Sequence, residues 1–98
     1  MSRVHPAMTD TEIMGFLGDR LARLREAEGL TIEEAGKTAG LGAKTVWRAE
    51  KGRNPTLLTV VRLLRVYGRL EDLSVLVPEA PPSPLQALRG RSSSRETS

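Results

Sequence analysis

The chain has 98 residues, a formal net charge of +3, no cysteine and one histidine; this is one small domain, whose ordered part, about 70 residues, is near the size at which a single core is marginally stable. Disulfides and thiolate chemistry are excluded, and His5 alone gives metal or acid–base sites poor support, so neither a cofactor nor an enzyme is expected. No apolar run approaches the roughly 20 residues that span a bilayer, and MSRVHPAM lacks the apolar stretch of a signal peptide, so a cytoplasmic protein with no membrane contact is expected.

Residues 1–8 read as a flexible tail. Thr9 and Glu12 then form a T-x-x-E capping box, in which the two side chains satisfy amide donors left open at a helix start. This predicts a helix over 10–28, with Ile13, Leu17, Leu21 and Leu24 as its core stripe and Gly29 as its terminator. Thr31 and Glu34 repeat the box. The helix that follows carries Ile32, Ala35, Gly36 and Ala39 at i, i+3, i+4 and i+7, a narrow stripe with so little bulk that another helix can come very close. Gly40 stops it, and Leu41-Gly42 leaves room for a tight turn only.

The third helix, over 43–51, separates its residues by face. Val46, Ala49 and Glu50 share one side; Lys44, Trp47, Arg48 and Lys51 share the other. A basic, aromatic face beside a buried one suits a DNA groove, although ordinary solvated lysines give the same pattern. The charge distribution favours DNA: residues 41–69 hold seven Lys and Arg against one acid, a net +6, whereas residues 1–40 carry −2 and residues 70–98 carry −1.

Asn54 and Pro55 suit the N-cap and first position of a fourth helix over 55–67, with Leu57, Val60, Leu64 and Tyr67 inward and Gly68 closing it. A short last helix over 70–76 presents Leu70, Leu73, and Leu76 or Val77 before Pro78. From Glu79 the chain turns Pro- and Ser-rich with no periodicity able to build a core, so residues 79–98 are expected to be a mobile, disordered tail and residues 9–78 the domain.

GLTIEEAGKTAGLGAKTVWRAEKGRNPTLLTVVRLLRVYG resembles the helix-turn-helix of the Xre family, the phage-repressor and Cro type, from about Phe16 to Val77. L-x-x-L-R, G-L-T-x-E-E, A-G, E-x-G-R-x-P and the spaced leucines carry the resemblance. It implies an all-α, compact five-helix phage-repressor-like domain in which helix 31–39 lies across the groove and helix 43–51 enters the major groove of double-stranded DNA. The chain departs from the family at Ile32, where a glutamine that touches phosphate is usual, and at Ala35-Gly36, where Leu-Ala is usual. Gly36 keeps the close packing at a helix-propensity cost of about 1 kcal/mol.

Within that frame Lys44 and Arg48 are the candidates for base edges, since both side chains donate to guanine O6 and N7, and Ala43 suits a thymine methyl. Trp47, at the edge of the outer face, suits a thymine methyl or a sugar, or packs against the domain. Thr31, Lys51, Arg53 and Asn54, near helix ends and loops, are candidates for phosphates. Arg62, Arg65 and Arg69 read as a solvated helix face. Arg25 and Glu50 match family positions that pair, and Glu50 points inward by periodicity, where an acid without a partner is costly. Leu70, Leu73, Leu76 and Val77 either form a dimer or partner surface or close the domain's own core.

The resemblance implies a homodimeric, sequence-specific transcriptional repressor on an inverted-repeat operator. The tail LVPEAPPSPLQALRGRSSSR is also similar to the antitoxins of HipA-type kinase toxins. That likeness implies a HipA-like kinase as partner and autoregulation of a shared promoter. A stand-alone phage or chromosomal regulator is the other reading.

Overall fold

Three threonines start three of the helices. In the computed structural model, which describes residues 3–85 and 88, the Thr9 hydroxyl oxygen accepts from the Glu12 amide at 3.1 Å while Glu12 accepts from the Thr9 amide at 2.8 Å. Thr31 and Glu34 repeat this at 3.0 and 2.9 Å. These boxes begin α1 (Asp10–Ala27) and α2 (Ile32–Ala39). α3 (Ala43–Glu50) follows Gly42 without a side-chain cap. The third threonine is Thr56, whose oxygen accepts from the Thr59 amide at 3.1 Å and begins α4 (Leu57–Val66). A single 3-10 turn, Leu70–Asp72, then runs into α5 (Leu73–Leu76). Among the described residues there is no strand, and no helix is long and apolar enough to cross a membrane.

α1 to α4 also end alike, with a glycine in the left-handed region at Gly29, Gly40, Gly52 and Gly68. In α2 the Leu41 amide donates to the Gly36 carbonyl at 2.7 Å and the Gly40 amide to Lys37 at 3.4 Å, so the helix closes and the chain reverses within three residues.

The core combines small residues on α2 and α3 with larger ones from α1 and α4. Ala35, Val46, Ala49 and Leu63 are almost wholly enclosed, with Leu21 and Tyr67 beside them. Leu24, Leu30, Ile32, Ala39, Leu41, Leu64 and Val66 close its edges. α3 lies against both α1 and α2, and α4 against α2 and α3.

Four sequence expectations are corrected. α4 starts at Thr56, not at Asn54-Pro55; Asn54 instead takes a left-handed turn with φ 48°. Its inward face carries Thr59, Leu63 and Tyr67, while Leu57 is 62% exposed. The helix LLTVVRLLRV is apolar nearly all round, so periodicity admits two registers, and Thr59 is tolerated inside because Thr56 donates to its hydroxyl. Leu17, placed in the α1 stripe, is 45% exposed. The last helix divides into the 3-10 turn and one α turn, with Leu70 and Leu73 half-buried and Leu76 and Val77 exposed.

Tyr67 carries a cost that pH reveals. The side chain is buried, and its hydroxyl has no hydrogen-bond partner among the described residues. Burial, aided by the charge of Glu50 and opposed by Arg25, pushes its pKa up from 10.0 to about 12. The fold therefore holds the neutral phenol. That contribution is intact below pH 10 and is lost as the pH rises toward 12, because the unfolded chain ionises first. Tyr67→Phe should leave the protein at least as stable at neutral pH, since a hydroxyl without a partner is removed. It should also abolish the part of the alkaline loss that this group causes, about 1 kcal/mol near pH 11. Urea midpoints of both proteins near neutrality and near pH 11 check this; equal alkaline losses contradict it.

Candidate nucleic-acid interface

The turn between α2 and α3 is tight because a glycine faces it. A Cβ built on Gly36 would lie 2.7 Å from the Leu41 carbonyl oxygen and 3.4 Å from the Val46 side chain, so α2 meets the turn backbone to backbone and has the Val46 side chain of α3 directly beside it. Val46 and Ala49 then point inward and hold α3 on the domain by its apolar side.

The inner side of α3 is also tied electrostatically. Arg25 on α1 donates from Nε to Glu50 at 2.7 Å and from a terminal nitrogen to the other carboxylate oxygen at 3.1 Å. Its remaining terminal nitrogen donates to the Leu30 carbonyl at 2.8 Å. The side chains of Arg25 and Glu50 are only 13% and 6% exposed. The hydrogen bond to Glu50 raises the Arg25 pKa further above its usual value, with burial opposing. One guanidinium thus joins α1, the α1–α2 loop and the end of α3.

The closest approach lies beside this pair. A Cβ on Gly18 of α1 would fall 2.5 Å from the Glu50 carbonyl oxygen and 2.8 Å from that of Ala49. At Gly52, where φ is +69°, it would fall 2.6 Å from the Met14 carbonyl oxygen. α1 and the carboxyl end of α3 therefore meet backbone to backbone, and neither glycine's role was legible in the sequence.

With its inner side bound, α3 turns Lys44, Thr45, Trp47, Arg48 and, just past its end, Lys51 outward. Ala43 is half-buried at its amino end. No carboxylate pairs with Lys44 or Arg48 among the described residues. Thr45 was not singled out from the sequence, though its position in the exposed first turn was the available signal. Trp47 is 38% exposed, with the Lys51 ammonium 5.6 Å and the Arg53 guanidinium 5.1 Å from its ring centre. Thr31 is exposed at the start of α2, and Asn54 is exposed in the loop after α3.

Of the seven cations of residues 41–69, Arg65 is exposed on α4 and the other six divide into two groups. Arg62 donates to the Gly40 carbonyl at 3.3 Å, bracing the α2–α3 turn, and Arg69 pairs with Asp72 at 2.9 Å. Lys44, Arg48, Lys51 and Arg53 are gathered on and just after α3. This gives a helix with a basic outer face whose inner side is packed and ion-paired against the domain.

Comparison with known proteins agrees with this geometry. A family model described as a helix-turn-helix domain matches residues 17–75. An uncharacterized HTH-type transcriptional regulator of Sinorhizobium fredii, y4dJ, is 37% identical over 54 residues, which are 54% of this chain and 70% of that protein. Another uncharacterized HTH-type transcriptional regulator, from Archaeoglobus fulgidus, is 36% identical over 62 residues, 61% of this chain and 89% of that protein. The matched stretch runs from α1 to α5 and includes α2, the turn and α3 entire, so the chain belongs to the helix-turn-helix domain family.

Proposed function

We propose that the protein is a sequence-specific DNA-binding transcriptional regulator of the Xre type, reading the major groove with the outer face of α3. The observation that carries this reading is the division of α3 into a buried side, closed by the Arg25–Glu50 pair, and a solvent side where Lys44 and Arg48 stand without carboxylate partners among the described residues. Both relatives described above are themselves named transcriptional regulators. Lys44 and Arg48 serve as donors to guanine, with Ala43 and Thr45 at their sides. Thr31, Lys51, Arg53 and Asn54 hold backbone phosphates. The protein acts as a C2 dimer on an inverted repeat; Leu76 and Val77, 58% and 74% exposed, offer apolar surface for the contact beside half-buried Leu70 and Leu73.

Replacing Lys44 or Arg48 by alanine should cost about 1–3 kcal/mol on the preferred duplex and relax base preference at the contacted position, with little change on random DNA. Fluorescence anisotropy on both duplexes at one salt concentration measures this. An equal loss on the two would move these residues to the phosphate class.

The finer reading, repression within a toxin–antitoxin operon together with capture of a HipA-like kinase, is supported by the tail sequence alone. Residues 86, 87 and 89–98 of that tail lie outside the described residues. Deleting residues 79–98 should leave thermal stability and DNA affinity nearly unchanged and weaken retention of the kinase in copurification. Loss of DNA binding with kinase retention intact would reverse that assignment.

A further inference from the structure

We infer that Trp47 is a positioning residue, a ring on which Arg53 and Lys51 are stacked so that both cations meet one stretch of DNA backbone, and not a reader of bases. The inference rests on the DNA-binding reading and assigns one residue of that face a different task. Trp47 lies at the edge of the outer face and is only 38% exposed, and its ring has the Arg53 guanidinium at 5.1 Å and the Lys51 ammonium at 5.6 Å from its centre. Both distances lie within the range at which a cation is attracted to an indole face.

The backbone beneath the stack is held as well. The Arg53 amide donates to the Arg48 carbonyl at 2.9 Å, the Gly52 amide to Ala49 at 3.1 Å and the Lys51 amide to Trp47 at 3.0 Å. Arg53 therefore leaves the helix in one direction, and its long side chain returns across the indole. Gly52 lies close to α1, where an added Cβ would fall 2.6 Å from the Met14 carbonyl oxygen.

The location favours such a device. The carboxyl end of a helix carries the negative end of its dipole, so a phosphate approaching there is repelled by the peptide carbonyls. Attraction must come from side chains, and two flexible cations near each other lose conformational freedom when they converge on a phosphate. Stacking them on Trp47 beforehand reduces that loss. A guanidinium held over a ring can still present N–H groups to solvent, and these donate to phosphate oxygens.

The test compares Trp47→Leu, which keeps apolar bulk and removes the π face, with Trp47→Phe, which keeps a smaller one. Affinities are measured from about 0.05 to 0.3 M KCl on the duplex the wild-type protein enriches from a random pool and on a scrambled duplex. Trp47→Leu should weaken binding about five- to tenfold on both duplexes and make the logarithmic salt slope shallower by about 0.9, the value for one phosphate, while Trp47→Phe retains most of the affinity. In the DNA-free protein, the Arg53 side-chain protons should show an upfield ring-current displacement that disappears in Trp47→Leu, with the helical circular-dichroism spectrum retained. A loss confined to the enriched duplex at constant slope would make Trp47 a base reader and overturn the inference. So would unchanged binding by Trp47→Leu, or Arg53 protons without the displacement. Absence of salt-dependent binding by the wild-type protein to either duplex would overturn the DNA-binding reading itself, and this inference with it.

Discussion

Glu50→Ala is expected to destabilise the DNA-free protein by about 3–5 kcal/mol, a large share of a total stability on the order of 5–15 kcal/mol. The side chain is 6% exposed and accepts two hydrogen bonds from Arg25, itself 13% exposed. Truncation leaves a buried guanidinium with the Leu30 carbonyl as its hydrogen-bond acceptor and only the exposed Glu26 carboxylate, 4.0 Å away, as a counter-charge. The cost is that of stranding a charge, not of losing an attractive pair. Replacing both residues with alanine should therefore cost less than the two single losses combined. Urea denaturation of the four proteins measures the coupling; a midpoint that Glu50→Ala does not move contradicts the account of how α3 is mounted.

The second large effect is a difference in sign between two glycines three residues apart on α1. Gly15→Ala should stabilise by roughly 0.5–1 kcal/mol, because alanine favours the helix and nothing lies within 4 Å of the added carbon. Gly18→Ala makes the same gain in helix propensity, yet its Cβ would meet two carbonyl oxygens at 2.5 and 2.8 Å. Those oxygens belong to the α3 backbone and cannot rotate away, so α1 and α3 must separate, at a cost of about 3 kcal/mol that outweighs the gain. Thermal midpoints should thus move in opposite directions. Stabilisation by both substitutions would mean that the helices are not in backbone contact at Gly18.

These two predictions also show where the sequence is legible. The T-x-x-E boxes at Thr9 and Thr31, the terminating glycines and the inward Glu50 depend on spacings of a few residues, and the observed helices follow them closely. α4 was misread because Pro55 imitates a helix start while the true cap, Thr56 with Thr59, lacks the acidic partner that marks the other two. On its inward face Tyr67 and Leu64 pack at the core as the spacing predicts, but Leu57 is exposed and Thr59 and Leu63 are buried, because leucine and valine surround the helix and leave the register open. Gly18 and Gly52 carried no readable signal, since a glycine's role is set by what another segment brings against it. The same holds for Trp47. Periodicity puts the residue on the edge of the outer face, but only the turn of the chain at Gly52 brings Arg53 back over its ring.

The central claim, that the outer face of α3 reads DNA sequence, is tested most directly by selecting bound duplexes from a random pool with the wild-type protein and with Lys44→Ala and Arg48→Ala. The wild-type protein should enrich an inverted repeat whose half-site centres lie about 34 Å apart, one turn of the double helix. Each variant should lose its preference at one symmetric pair of positions and keep the others. No enrichment by the wild-type protein, or the same motif from all three, would contradict the claim.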